Sequence, residues 1–215
     1  TKLTNPLTDT IYSYLSSKTV FRPYQFRPVL KMLNSTHQRL LIADEVGLGK
    51  TIEAGLLWTE LEARTERLAR VLVVCPAMLV EKWRAEMRRR FDRDLTILDK
   101  RGLEWLVEQL RSGRDDRPIL GVVSLERLRS SKLLADLHEL QARFDLIIVD
   151  EAHYLRNRGT LSNELGQALS VWADVLVFLS ATPLNLGNDD LFNLLNPSNL
   201  FNLFGLIPYD PTIIP

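Results

Sequence analysis

The chain has 215 residues, 46% hydrophobic and 25% charged, a balance that fits a globular domain and excludes a disordered or fibrous chain. Its 27 basic and 27 acidic residues cancel, so no global positive field draws it to nucleic acid, and any such surface is local. A single cysteine, Cys75, excludes an intramolecular disulfide and favours a reducing compartment, and no apolar run reaches the length of a membrane span.

Residues 1–20 read as a polar lead-in with one helical turn around Ile11 to Leu15. From Pro23 to Leu33 the apolar spacing is helical. Short apolar runs then alternate with amphipathic stretches. The runs are Leu40–Ala43, Val71–Cys75, Leu95–Leu98, Ile119–Val123, Leu146–Val149 and Val175–Leu179. The stretches are Thr51–Arg64, Leu79–Phe91, Leu103–Arg111, Leu133–Ala142 and Leu161–Leu169. Continuous Val/Ile/Leu strands separated by helices predict a parallel sheet buried on both faces, with right-handed crossovers. Leu191 to Leu195 reads as a helix. Beyond Pro197, four spaced residues (Phe201, Phe204, Leu206, Ile207) would form an apolar patch in a proline-broken connector.

The first run opens into Ala43-Asp44-Glu45-Val46-Gly47-Leu48-Gly49-Lys50-Thr51, followed by a helical pattern. Strand, glycine loop and helix is the context of a phosphate cradle. Glycines let backbone N–H groups approach a polyphosphate, and the helix start adds the positive end of its dipole. Lys50 would meet the β and γ phosphates, and Thr51 would offer its hydroxyl to Mg²⁺. Asp44 stands where the full pattern asks for the first glycine, so an ordinary glycine-rich turn stays open on this run alone. A second feature bears on it. The run Leu146–Val149 leads straight into Asp150-Glu151-Ala152-His153. Ligands of doubly wound sheets sit beyond the carboxyl ends of strands. There Asp150 would hold Mg²⁺ and Glu151 would orient and deprotonate an attacking water. A third run ends in Ser180-Ala181-Thr182-Pro183-Leu184, whose hydroxyls could bond the acid loop and sense its state.

Taken in order, these three segments resemble motifs I, II and III of superfamily 2 helicase-type ATPases. The form Asp-Glu-Val-Gly-Leu-Gly-Lys-Thr-Ile-Glu-Ala-Gly at 44–55 is similar to the Swi/Snf-like branch, and to its bacterial members in particular. The resemblance covers about residues 20 to 200. It implies a RecA-like, doubly wound, mainly parallel α/β lobe at 21–190, after a lead-in at 1–20 and before a connector at 191–215. It implies ATP and Mg²⁺ as cofactors, bound by Gln25, Val46, Gly47, Leu48, Gly49, Lys50 and Thr51, with Thr51 and Asp150 on the metal. Lys50, Asp150 and Glu151 would be catalytic, and His153, Ser180 and Thr182 would couple the nucleotide site to the rest. Arg22-Pro23-Tyr24-Gln25 resembles the element whose Gln reads adenine. Cys75-Pro76-Ala77-Met78-Leu79, with the helix carrying Trp83, resembles motif Ia, and Val122-Val123-Ser124-Leu125-Glu126 resembles motif Ib. Pro76, Ala77 and Ser124 would therefore touch a nucleic-acid backbone.

The resemblance further implies an ATP hydrolase that moves on double-stranded DNA and remodels a protein–DNA complex in a bacterial or archaeal cytoplasm. Its catalytic cleft would need a second lobe, for which about 30 residues after Pro183 are too few. A strand-separating DNA or RNA helicase, a restriction-type motor subunit and a non-catalytic nucleotide-binding module remain open at this stage. Cys75 reads as a small buried residue. The basic run Arg84, Arg88, Arg89, Arg90 and Arg93, interleaved with acids, reads as a solvated helix face. No Cys/His spacing suits zinc.

Overall fold

The computed structural model describes residues 11–13, 18–20, 22–35, 38–43, 47–65, 68–113, 118–155 and 161–181. Val46, Thr182, the expected helix at 191–195 and the apolar segment after Pro197 lie outside these residues. Six strands form one sheet: β1 (Arg39–Ile42), β2 (Arg70–Cys75), β3 (Thr96–Ile97), β4 (Ile119–Ser124), β5 (Phe144–Val149) and β6 (Ala173–Leu179). Their order is β1-β6-β5-β2-β4-β3, and every pairing is parallel. The helices are α1 (Arg27–Leu33), α2 (Lys50–Arg64), α3 (Val80–Phe91), α4 (Lys100–Ser112), α5 (Leu125–Leu128), α6 (Ser131–Glu139) and α7 (Leu161–Trp172).

The strand sequences explain the two-faced core. Alternate residues of a strand point to opposite faces. Val71, Val73, Cys75, Ile148 and Val177 meet α1, α2 and α3 through Met32, Leu57, Trp58, Trp83 and Met87. Leu72, Val74, Ile147, Val149 and Phe178 meet the other helices through Leu106, Leu128, Leu137, Leu165 and Trp172. Both sets are apolar, so the runs show no polar alternation.

Several boundaries differ from the sequence expectation by a few residues, three of them for a visible local reason. Within Leu95–Leu98 only Thr96 and Ile97 pair, because β3 lies at the sheet edge and the chain turns at Asp99. The Asp99 side chain accepts from Gly102 N at 2.9 Å, which starts α4 at Lys100 rather than Leu103. Helix α6 stops at Glu139, short of Ala142, and Gln141 takes φ +48° just beyond it.

Of the basic run, Arg89 and Arg90 both pair with Glu86 on the surface of α3, as expected of a solvated face. Arg93 departs from it. Its guanidinium stacks 4.6 Å from the Trp58 ring centre and pairs with Glu62, because the left-handed Asp92 (φ 52°) turns the chain back toward α2.

The lead-in also touches α2. Ser13 N donates to Glu60 Oε2 at 2.8 Å, and Glu60 Oε1 accepts from Arg64 Nε at 2.6 Å, with both side chains buried. Lys18 N donates to Arg90 O at 2.9 Å.

Gly55 lets α2 approach α3, since a Cβ there would run into the Phe91 ring. Overpacking a core costs about 1–3 kcal/mol. Ala gains only about 1 kcal/mol over Gly as a helix former. Gly55→Ala is therefore expected to lower the urea unfolding midpoint, and a raised midpoint would contradict this packing.

Candidate nucleotide site

The strand ladders gather the expected residues at one edge. Ile42, the last residue of β1, pairs with Leu179, and Val149, the last of β5, pairs with Phe178. The loops after β1 and β5 thus leave the sheet two ladder spacings apart, about 10 Å. Ser180 leaves β6 between them. Its N–H donates to Ile42 O at 3.0 Å, and it is fully buried. Asp150 N donates to Val74 O at 2.8 Å, which ties the acid loop to β2.

Between β1 and α2, Gly47 and Gly49 take φ +93° and +100°, a region that side chains rarely enter. A Cβ at Gly47 would meet open space, whereas one at Gly49 would collide with the Gln25 amide. Lys50 and Thr51 form the first turn of α2. The Gly49 carbonyl accepts from Ile52 N and Glu53 N at 2.7 and 3.0 Å. Segment Pro23–Phe26 packs on this loop: Gln25 Nε2 and Tyr24 OH donate to Leu48 O at 3.0 and 3.2 Å. Gln25 is buried, and its amide carbonyl remains the group able to accept a hydrogen bond.

Asp150 is 7% exposed. Its Oδ1 accepts from Glu151 N and its Oδ2 from Trp83 Nε1, both at 2.9 Å. Two donors fix the carboxylate plane and leave lone pairs on both oxygens. Glu151 takes φ +51°, a left-handed conformation that costs a non-glycine residue on the order of 1–3 kcal/mol. His153 Nδ1 lies 3.2 Å from Glu151 Oε2, within ion-pair reach but out of line for a hydrogen bond.

The nucleic-acid residues expected from sequence follow β2 and β4, whose ends pair Cys75 with Ser124. Pro76, Ala77 and Met78 line one side of an open groove of about 520 Å³, and Leu125, Arg129 and Tyr154 line another. Ser124 Oγ accepts from Arg127 N at 3.2 Å as the cap of α5, so only its hydroxyl hydrogen is left to give.

Hard oxygen donors suit magnesium, which usually takes one or two protein ligands plus substrate phosphates. The fixed Asp150 carboxylate and the Thr51 hydroxyl match that demand. Among the described residues no group of three or more His, Cys, Asp and Glu forms a metal cage.

Tyr24 on the loop and Trp83 on Asp150 escaped sequence reading. The second spans 67 positions, and no spacing rule marks such a pair.

This edge and this sheet define a RecA-like nucleotide-binding lobe. The chain belongs to the SNF2-related domain family, whose model matches residues 24–201. It is 36% identical over 176 residues to the RNA polymerase-associated protein RapA of Actinobacillus succinogenes, covering 79% of this chain and 18% of that protein. The Pseudomonas aeruginosa protein of the same name is 37% identical over 171 residues, 77% of this chain and 18% of its own length. The chain thus spans less than a fifth of these relatives. Its fold is similar to the Sulfolobus solfataricus SWI2/SNF2 ATPase core in complex with dsDNA, with TM-score 0.62, 22% identity and coverage of 83% and 36% of the two chains. The Pyrococcus furiosus Hef helicase domain gives TM-score 0.60, 20% identity and coverage of 82% and 35%.

Cys75 is fully buried at the end of β2. Burial, then the Asp150 and Glu126 charges, push its thiol from 9.0 up to about 12. Between these values the unfolded chain loses the thiol proton and the folded chain keeps it. This contribution to stability is whole below pH 9.0 and is lost as pH rises toward about 12. Cys75→Ala is expected to flatten the decline of the urea midpoint above pH 9.0, and native Cys75 to resist Ellman's reagent. An unchanged pH slope, or rapid labelling of the native protein, would contradict this environment.

Proposed function

We propose that the chain is the ATP-binding lobe of a DNA-dependent ATPase that, in the intact protein, travels along duplex DNA and remodels protein–DNA complexes. The observation that carries this reading is the common strand edge shared by the glycine loop, Ser180 and the Asp150–Glu151 pair.

In this reading the amides of Val46, Gly47, Leu48 and Gly49 and the Lys50 ammonium hold the phosphates. Gln25 presents its carbonyl oxygen to the adenine amino group, steadied by its bond to Leu48 O. Thr51 and Asp150 hold Mg²⁺. The ion, when bound, offsets charge developing on the phosphate oxygens. Glu151 orients the attacking water and takes its proton. His153, beside Glu151, and Ser180, bonded to the end of β1, relay the state of the site, together with Thr182. Pro76, Ala77 and Ser124 contact the DNA backbone, which fixes position without reading sequence. The RNA polymerase association named for the relatives suggests a DNA-bound complex of that kind as the protein partner. The family match and these relatives support the remodelling reading over strand separation, whereas the two solved folds are too alike in score to choose between them. Cytoplasmic work in a bacterium or archaeon completes the reading. No helix among the described residues is long and apolar enough to cross a membrane.

In the full-length protein, Glu151→Gln is expected to keep ATP binding and cut turnover by about 10²-fold or more. Turnover close to the parent rate would remove Glu151 as the base. Parent ATPase activity is expected to rise with duplex DNA while a fluorescent duplex stays paired. Strand release would favour the helicase reading.

In this reading the transition-state arginines come from a second lobe, and such arginines are worth about 10³–10⁵ in rate for related phosphoryl transfers. The isolated 215 residues are expected to bind ATP weakly and turn it over slowly. Brisk, DNA-stimulated hydrolysis by this piece would contradict the two-lobe requirement.

A further inference from the structure

Helix α3 begins one turn after Pro76, and on its first full turn it carries Trp83. The indole is 1% exposed, packed in the core layer that holds Val73, Cys75 and Ile148. Its N–H leaves that layer to meet Asp150 Oδ2 at 2.9 Å. We propose that Trp83 is a positioning residue for Asp150, setting the carboxylate that is to hold magnesium. The inference rests on the reading of Asp150 as a metal ligand.

A plain structural account would hold that a buried indole needs some acceptor and found an acid nearby. The same core layer argues otherwise. Trp58 is fully buried on α2, and its Nε1 meets no acceptor among the described residues. Among the described residues, then, a core indole is accommodated without such a bond, so burial alone does not account for the Trp83 geometry.

The placement has a chemical reason. A carboxylate that can rotate about its Cβ–Cγ bond presents its oxygens poorly to a small ion with strict octahedral demands. Glu151 N holds Oδ1, but that donor belongs to a residue in a left-handed turn of the same loop. Trp83 holds Oδ2 from a separate helix anchored in the core. Outer partners of this kind orient metal ligands, and their loss weakens metal affinity by about 10–100-fold. Trp83 also joins the metal ligand to the helix that follows Pro76 and Ala77, so movement there reaches Asp150 through one hydrogen bond.

The test uses the full-length protein and reads binding, not only turnover. Affinity for a fluorescent ATP analogue is titrated against Mg²⁺ in the parent, Trp83→Phe and Asp150→Ala. A fourth variant carries 3-benzothienylalanine at position 83, which keeps the bicyclic volume but replaces N–H by sulfur. Trp83→Phe and the sulfur isostere are expected to raise the half-saturating Mg²⁺ concentration about tenfold. Analogue binding without Mg²⁺ should stay at the parent value, a separation that general loosening of the fold would not produce. An unchanged Mg²⁺ requirement in the folded isostere, with Asp150→Ala raising it, overturns the role of Trp83 alone. An unchanged requirement in Asp150→Ala overturns the reading of the site itself.

Discussion

Two parallel ladders, β1 on β6 and β6 on β5, set the distance between the glycine loop and the acid pair. The chemistry proposed for this edge depends on that register, because a strand slipped by one residue turns its whole side-chain set to the other face. The register is fixed by burial. Val177 and Phe178 point to opposite, closely packed core layers, so a slip would push side chains of the wrong size into each. Hydrogen bonds from Ser180 N to Ile42 O and from Asp150 N to Val74 O extend the ladders one step past the strands. The loops that carry reactive groups thus begin from backbone already paired. Against such a frame, the positive φ of Gly47, Gly49 and Glu151 can be held at a cost smaller than the burial that surrounds it.

Much of this was legible in the sequence, for reasons that differ between parts. The strands were visible as unbroken Val/Ile/Leu runs because both faces of the sheet are covered. The placement of the glycine loop with Lys50 and Thr51, and of Asp150 and Glu151, was legible because each of these segments comes after such a run, and a parallel sheet sends every carboxyl end to one side. The ends of α4 and α6 were less legible. They are set by the Asp99 cap and by the turn at Gln141, which weigh little in a periodicity argument. The fate of Arg93 could not be seen at all: its partners, Trp58 and Glu62, lie on another helix. The Trp83–Asp150 bond has the same character, since both residues are marked by their own segments and only the fold brings them together.

The opposite end of the sheet has its own polar device. Arg39, at the start of β1, donates to the carbonyls of Asp174, Ser170 and Ala173, and Arg143 donates to Val171 O. Burial lowers the Arg39 pKa, and the charge of Asp174 opposes that shift. Two of these carbonyls, those of Ser170 and Val171, lie in the last turn of α7, where the helix dipole favours cations. They also fasten β1, an edge strand of four residues with a single ladder partner, at the end remote from the glycine loop.

The contact of the lead-in with α2 bears on where the molecule can be cut. Glu60 and Arg64 are a charged pair sealed away from water, and one of the carboxylate's donors is the Ser13 amide. A sealed pair is tolerable only while its hydrogen-bonding capacity is met. Trimming to the motif-bearing segment from Arg22 onward would strip that amide and the Tyr12 ring from the pair and let solvent reach it. The contacts that complete the packing of α2 therefore begin upstream of the residues that make the chemistry recognisable.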